Sequence, residues 1–249
     1  MRDTIQITSL APNEALSPFI ESFWIIKNDS NVDQELVILP DGCIDLYFFH
    51  SDEYPLISSL IGLKTHPRIG LMPACSILFV VRLKLLAAEY LLKDSVAEIL
   101  DHWVYLENGF ANINESDFFC FDTFYKKLNL HFLSHLTTHI DPRKKVMSER
   151  IYEAQGFISV SEISLTSHWN SRQINRYFNK WLGLPMKRYC DVIRFHSSFE
   201  SLKAGKLFPE EGSYDQSHFI KLIKKYSHLT PKKLAQNKND RFIQLSSTE

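Results

Sequence analysis

Two stretches of the chain carry side chains suited to reading a surface of hydrogen-bond donors and acceptors. Arg172, Gln173, Asn175, Arg176 and Asn179 share a segment with Ile174, Tyr177, Phe178 and Trp181, apolar residues spaced i, i+3, i+4, i+7. At an offset of 45 residues, Ser171 lying over Gln216, the pattern returns: Gln216, Ser217, His218, Lys221 and Lys224 accompany Phe219, Leu222, Ile223 and Tyr226. In each segment the apolar stripe takes one helix face and leaves the polar set on the other. An arginine there can donate two parallel hydrogen bonds to guanine O6 and N7, and asparagine or glutamine can engage adenine N6 and N7. Lysines supply charge for phosphates. One such helix face is ordinary solvated surface, whereas a face repeated with its caps and stops points to double-stranded DNA as the partner.

The flanks define the elements that must hold these faces. Asn170 with Gln173 forms a capping box before the first helix, and Asp215 holds the matching cap before the second. Ser159 with Glu162 opens a short upstream helix that runs to Ser167, and His168-Trp169-Asn170 makes the turn, so the unit reads as a helix-turn-helix. Leu184-Pro185 and Leu229-Thr230-Pro231 stop the two helices, each followed by a basic pair. Lys187 to Lys203, with Tyr189, Val192, Ile193, Phe199 and Leu202 on one side, predicts a helix linking the units.

The rest of the chain differs in texture and charge. Residues 1–145 hold 12 Lys and Arg against 19 Asp and Glu, a formal −7; residues 146–249 hold 16 against 10, a formal +6, which together give the −1 of the whole. Ser22 to Ile26, Glu35 to Leu39, Cys43 to Phe49, Ile57 to Leu63 and Ser76 to Leu83 predict strands, with Leu39-Pro40-Asp41-Gly42-Cys43 the clearest turn. Ser95 to Leu106 and Phe118 to His139 have apolar residues at helical spacing. Asp141-Pro142 reads as a break, and the expected domains are 1–145 and 146–249. The expected fold is α+β: an N-terminal β-barrel or sandwich with following helices, then an all-α half of two helix-turn-helix units on a linking helix.

Composition limits the alternatives. With 45% hydrophobic and 23% charged residues in 249, a folded chain of one or two domains is expected. The longest uncharged apolar stretch, Ile69 to Val81, is short of the ~20 residues a bilayer requires, so no membrane partner is expected. The N-terminus lacks the apolar core of a secretory signal, and Cys43, Cys75, Cys120 and Cys190 form no C-x-x-C pattern. The expected location is therefore cytoplasmic, with no disulfide scaffold, no metal and no cofactor.

At Tyr214-Asp215-Gln216-Ser217-His218-Phe219-Ile220-Lys221, followed by Leu229-Thr230-Pro231, the sequence resembles the AraC family of bacterial transcription regulators. Arg176-Tyr177-Phe178 and Gly183-Leu184-Pro185 resemble the corresponding elements of that family's first unit, so the likeness spans roughly residues 146–238. It implies base contacts from Arg172, Asn175 and Arg176, and from Ser217, His218 and Lys221. The Leu39-Pro40-Asp41-Gly42 turn looks like the N-terminal domain of some members. Two features depart from the family pattern: His168 stands where a turn glycine is usual, and residues 206–212, with Pro209, are too short for the usual first helix of the second unit.

Two other readings compete. A small-molecule enzyme or ligand-binding protein could use a β-barrel first half, the helical half serving protein interaction. Asp41, Asp45, His50, Asp52 and Glu53 cluster around a strand pair, yet they lack paired histidines and form no catalytic constellation. The first half could instead sense a small-molecule effector or form a homodimer, and the residues leave that choice open.

Overall fold

A computed structural model describes residues 5–107, 109–137, 139–204, 206 and 216–236. Among them, the strands are β1 (Gln6–Leu10), β2 (Ile20–Asn28), β3 (Gln34–Ile38), β4 (Ile44–Ser51), β5 (Ile57–Ile61), β6 (Arg68–Met72), β7 (Ser76–Leu83) and β8 (Trp103–Tyr105). The helices that follow are α1 (Phe121–His135), α2 (Pro142–Glu153), α3 (Val160–Ser167), α4 (Ser171–Leu182), α5 (Met186–Ser197), α6 (Phe199–Lys203), α7 (Gln216–Ser227) and α8 (Pro231–Ala235). A β-rich first half and a helical second half are thus observed.

Six strands make one antiparallel sheet in the order β1-β2-β7-β4-β5-β8, and β3 pairs with β6 in a second. The large sheet ends at β1 and β8, so the barrel alternative does not hold and the sandwich alternative does. Side-chain alternation explains why both faces are covered. Phe23 and Ile25 of β2, Phe48 of β4 and Phe79 and Val81 of β7 face Phe124, Leu128 and Phe132 of α1. Trp24, Ile26 and Val80, pointing the other way, pack on Leu36 of β3 and Met72 of β6. Burying each such side chain is worth about 1.5–3 kcal/mol.

Four charged groups sit at the sheet's second face. Lys64 Nζ donates to Asp45 Oδ2 at 2.6 Å, and the Arg82 guanidinium, stacked 4.4 Å above the Trp24 ring, donates to Asp41. All four are buried. Burial works to raise the Asp41 carboxyl, but Arg82 and then Lys64 overcome it and hold the pKa at about 2. Asp45 is pushed the other way, because burial and the neighbouring Asp41 outweigh its lysine. Asp41 also accepts from the Cys43 amide at 3.0 Å and so shapes the turn in which Gly42 takes φ +81°.

Several sequence expectations shift. Residues 95–106 are not a helix but a 3-10 turn at Ala97–Ile99 followed by β8. The apolar spacing there comes from Val96, Ile99 and Leu100 packing on the core, whereas Trp103, Val104 and Tyr105 are exposed. The predicted 118–139 helix is α1, Phe121–His135. Asp141 caps α2 with Pro142 in its first turn, and the predicted linking helix is divided into α5 and α6 at Ser198. Asp215 and residues 207–212 lie outside the described residues. The apolar core continues across Lys145: Met147, Ile151, Tyr189 and Ile193 join the cluster that holds Phe23 and Phe79.

Candidate nucleic-acid interface

The first of the two repeated helices is set by its caps. Ser159 Oγ accepts from the Glu162 amide at 3.2 Å while Glu162 Oε2 accepts from the Ser159 amide at 2.8 Å, starting α3. His168 ends it at φ 56°, the left-handed conformation for which a glycine is usual and which histidine enters more readily than most residues. Trp169 follows, buried against Tyr177 at a ring separation of 5.7 Å. Asn170 and Gln173 then exchange hydrogen bonds of 2.9 and 3.0 Å, the capping box expected at the start of α4.

In α4 the buried stripe is Ile174, Tyr177, Phe178 and Leu182; Trp181, expected in it, is only half-buried. Arg172, Arg176 and Asn179 are exposed on the other side. Gln173 and Asn175 are placed differently. Gln173 is occupied by the cap, and Asn175 donates to the Ser171 carbonyl at 3.1 Å while accepting from the Met186 amide at 3.3 Å. Asn175 thereby ties α4 to the first turn of α5, whose leading amides have no partner within the helix.

The second of the two repeated helices follows the same plan. Phe219, Leu222, Ile223 and Tyr226 of α7 are buried, and Gln216, Ser217, His218, Lys221 and Lys224 are exposed. Thr230 Oγ1 accepts from the Lys233 amide at 3.3 Å, starting α8 with Pro231 in its first turn. Lys232 and Lys233 of α8 and Lys187 of α5 add exposed cations beside the two helices, and the basic pairs after each stop were their signal in the sequence. Both α4 and α7 pack on α5.

The first half grips this assembly at several places, three of which lie at the end of α4 and along α5. Ser95 Oγ donates to the Lys180 carbonyl at 2.6 Å and the Val96 amide to the Trp181 carbonyl at 3.0 Å, so residues 95–96 cap the end of α4. There Gly183 has φ +77°, and a Cβ on it would lie 2.7 Å from the Ala97 carbonyl oxygen. Arg188 Nη2 donates to Thr65 Oγ1 at 3.2 Å, and Thr65 in turn donates to Asp101. Tyr189 Oη donates to the Gly42 carbonyl at 3.1 Å and meets Tyr152 Oη at 2.7 Å.

Beside the third contact a cavity of about 420 Å³ opens between the large sheet and α5–α6, lined by Trp24, Asp41, Arg82, Tyr152, His196 and Phe199 among others. Burial, and next the Arg82 charge, push His196 down from the usual histidine range. Among the described residues no group of three metal-ligating side chains comes together, and no helix is long and apolar enough to cross a membrane.

Comparison with known proteins gives a match over part of the chain. Residues 8–105 match the family described as "Domain of unknown function (DUF6597)". No curated protein matches. Among solved structures, the chain is similar to an apo point variant of ToxT from Vibrio cholerae strain SCE256 at 13% identity and a TM-score of 0.45, over 86% of this chain and 96% of that one. It is also similar to ToxT from Vibrio cholerae O395 at 13% identity and a TM-score of 0.42, over 98% of each chain. A third structure, that ToxT bound to (E)-4-(8-methylnaphthalen-1-yl)but-3-enoic acid, gives 13% identity and a TM-score of 0.42, over 93% of this chain and 98% of that one.

Proposed function

We propose that the chain is a sequence-specific DNA-binding transcription regulator of the AraC type, with α4 and α7 reading successive major grooves. The observation that carries this reading is the repeated helix face: exposed Arg172, Arg176 and Asn179 on α4, and Gln216, Ser217, His218, Lys221 and Lys224 on α7. Two such helices on one support would meet sites about 34 Å apart along the duplex. Lys187, Lys232 and Lys233 would bind phosphates and make affinity fall with salt as counterions are released. Selection from random duplexes with the full chain should yield a two-part site. Retention of all sequences alike at every salt concentration would remove sequence reading from the proposal.

Control by a small molecule is the finer part of this reading. The cavity beside Arg82 and His196 takes lining residues from both halves, so a ligand in it would touch the first half and α5 together. The same cavity favours a second reading, a ligand-binding protein whose helical half binds another protein. Thermal-shift screening with metabolites, run beside the duplex selection, separates the two: a ligand without a DNA site supports the second.

A further inference from the structure

The second reading helix rests on an apolar core that draws residues from both halves of the chain. From the helical half it contains Val192 and Phe195 of α5, Phe199 and Leu202 of α6, Phe219, Leu222, Ile223 and Tyr226 of α7, and Leu234 of α8. The same cluster includes Val37 of β3 and Leu39 of the turn after it, 7% and 0% exposed. Three residues further on, a Cβ on Gly42 would collide with Ile193 Cδ1, and Tyr189 Oη holds the Gly42 carbonyl. Residues 37–42 therefore lie along α5 and contribute to the core under α7. The first reading helix rests on a different cluster, in which Ile174, Tyr177, Phe178 and Leu182 pack with Ile163 of α3 and with Leu91 and Val96, and to which Val37 and Leu39 do not belong.

We propose that Val37 and Leu39 are positioning residues for α7: the first half completes the core that holds the second reading helix in place, so that the two-part DNA surface belongs to the whole chain. The proposal rests on the reading of α7 as a DNA-reading helix. Neither residue touches DNA in this scheme. A large apolar side chain removed from a closed core leaves a cavity that its neighbours fill only in part, and the element resting on it loosens first.

Leu39→Ala in the full-length chain tests this, with Leu36→Ala as its control. Leu36 lies on the opposite face of β3, buried against Trp24, Ile26 and Met72, away from α7. Hydrogen exchange should rise in Leu39→Ala by at least about tenfold across residues 216–227 while residues 171–182 keep their protection. On the site selected by the wild-type chain, the footprint should shorten to the part read by α4. Leu39→Met should restore both readouts, and Leu36→Ala should not separate the two helices. Leu39→Val, which removes less, gives the same pattern at smaller amplitude if the alanine variant does not fold. Equal loosening of 171–182 and 216–227, or an unchanged 216–227, overturns the proposal. A wild-type chain that selects no DNA overturns the regulator reading instead, and the exchange experiment still decides whether the first half holds α7.

Discussion

Ten side chains were candidates for base contact, and the structure separates them by what else they do. Arg172, Arg176 and Asn179 are exposed on α4, while Gln173 is spent in a cap and Asn175 bridges two helices. The capping box was legible because its partners are three residues apart. The Asn175 bond was not, because its partner, the Met186 amide, is 11 residues away across a turn. Exposure fixes which substitutions should alter sequence preference. Arg176→Ala should cost about 1–3 kcal/mol on the selected site and relax preference at one base pair. Lys233→Ala should weaken every duplex alike and lower the salt slope by about one. Competition binding at several salt concentrations measures both, and an Arg176→Ala chain with unchanged preference would take base reading away from that residue.

At the level of elements, strands made of apolar runs were readable and short or mixed strands were not. β2, β3, β4, β5 and β7 follow from runs of Val, Ile, Phe and Tyr, whereas β1 (QITSL), β6 (RIGLM) and β8 (WVY) are short or mixed and depend on a neighbour for pairing. The docking of α5 on the turn at Gly42 was likewise hidden, since nothing local marks Ile193 as its partner. That contact brings a pH dependence. His196 lines the cavity with Asp41, Arg82, Glu21 and Glu200, and its pKa is lowered in the folded chain. A group lowered this way binds its proton more readily when α5 is released, so stability is complete above the unfolded value near 6.5 and declines as pH falls below it. Asp41, held at about 2, keeps its contribution through that window, and Asp45, raised, has the opposite sign. Denaturant midpoints between about pH 7.5 and about pH 5.5 should fall for the wild type and fall less for His196→Gln. Equal slopes would remove His196 as the cause.

Across the whole molecule the opposite charges of the two halves lead to an expectation about docking. Formal charges of −7 and +6 allowed the acidic part either to stand off from the basic part or to lie on it. In the structure it lies on it, through a shared apolar core and through the hydrogen bonds of Arg188 to Thr65 and of Tyr189 to the Gly42 carbonyl. A fragment of residues 146–249 would expose Met147, Ile151, Tyr189 and Ile193, all now buried. It should unfold less cooperatively than the full chain and bind the apolar dye ANS. A sharp thermal transition of the fragment, matching that of the full chain, would show that Lys145 marks an independent boundary.

The seal of residues 95–96 on the end of α4 makes that helix a lever. Its 12 residues span roughly 18 Å, with Arg172 exposed near the far end. Turning the sealed end by about 5° would carry that tip through ~1.5 Å, half the length of a hydrogen bond to a base. A rearrangement too small to expose any core residue would then suffice to switch the proposed recognition off.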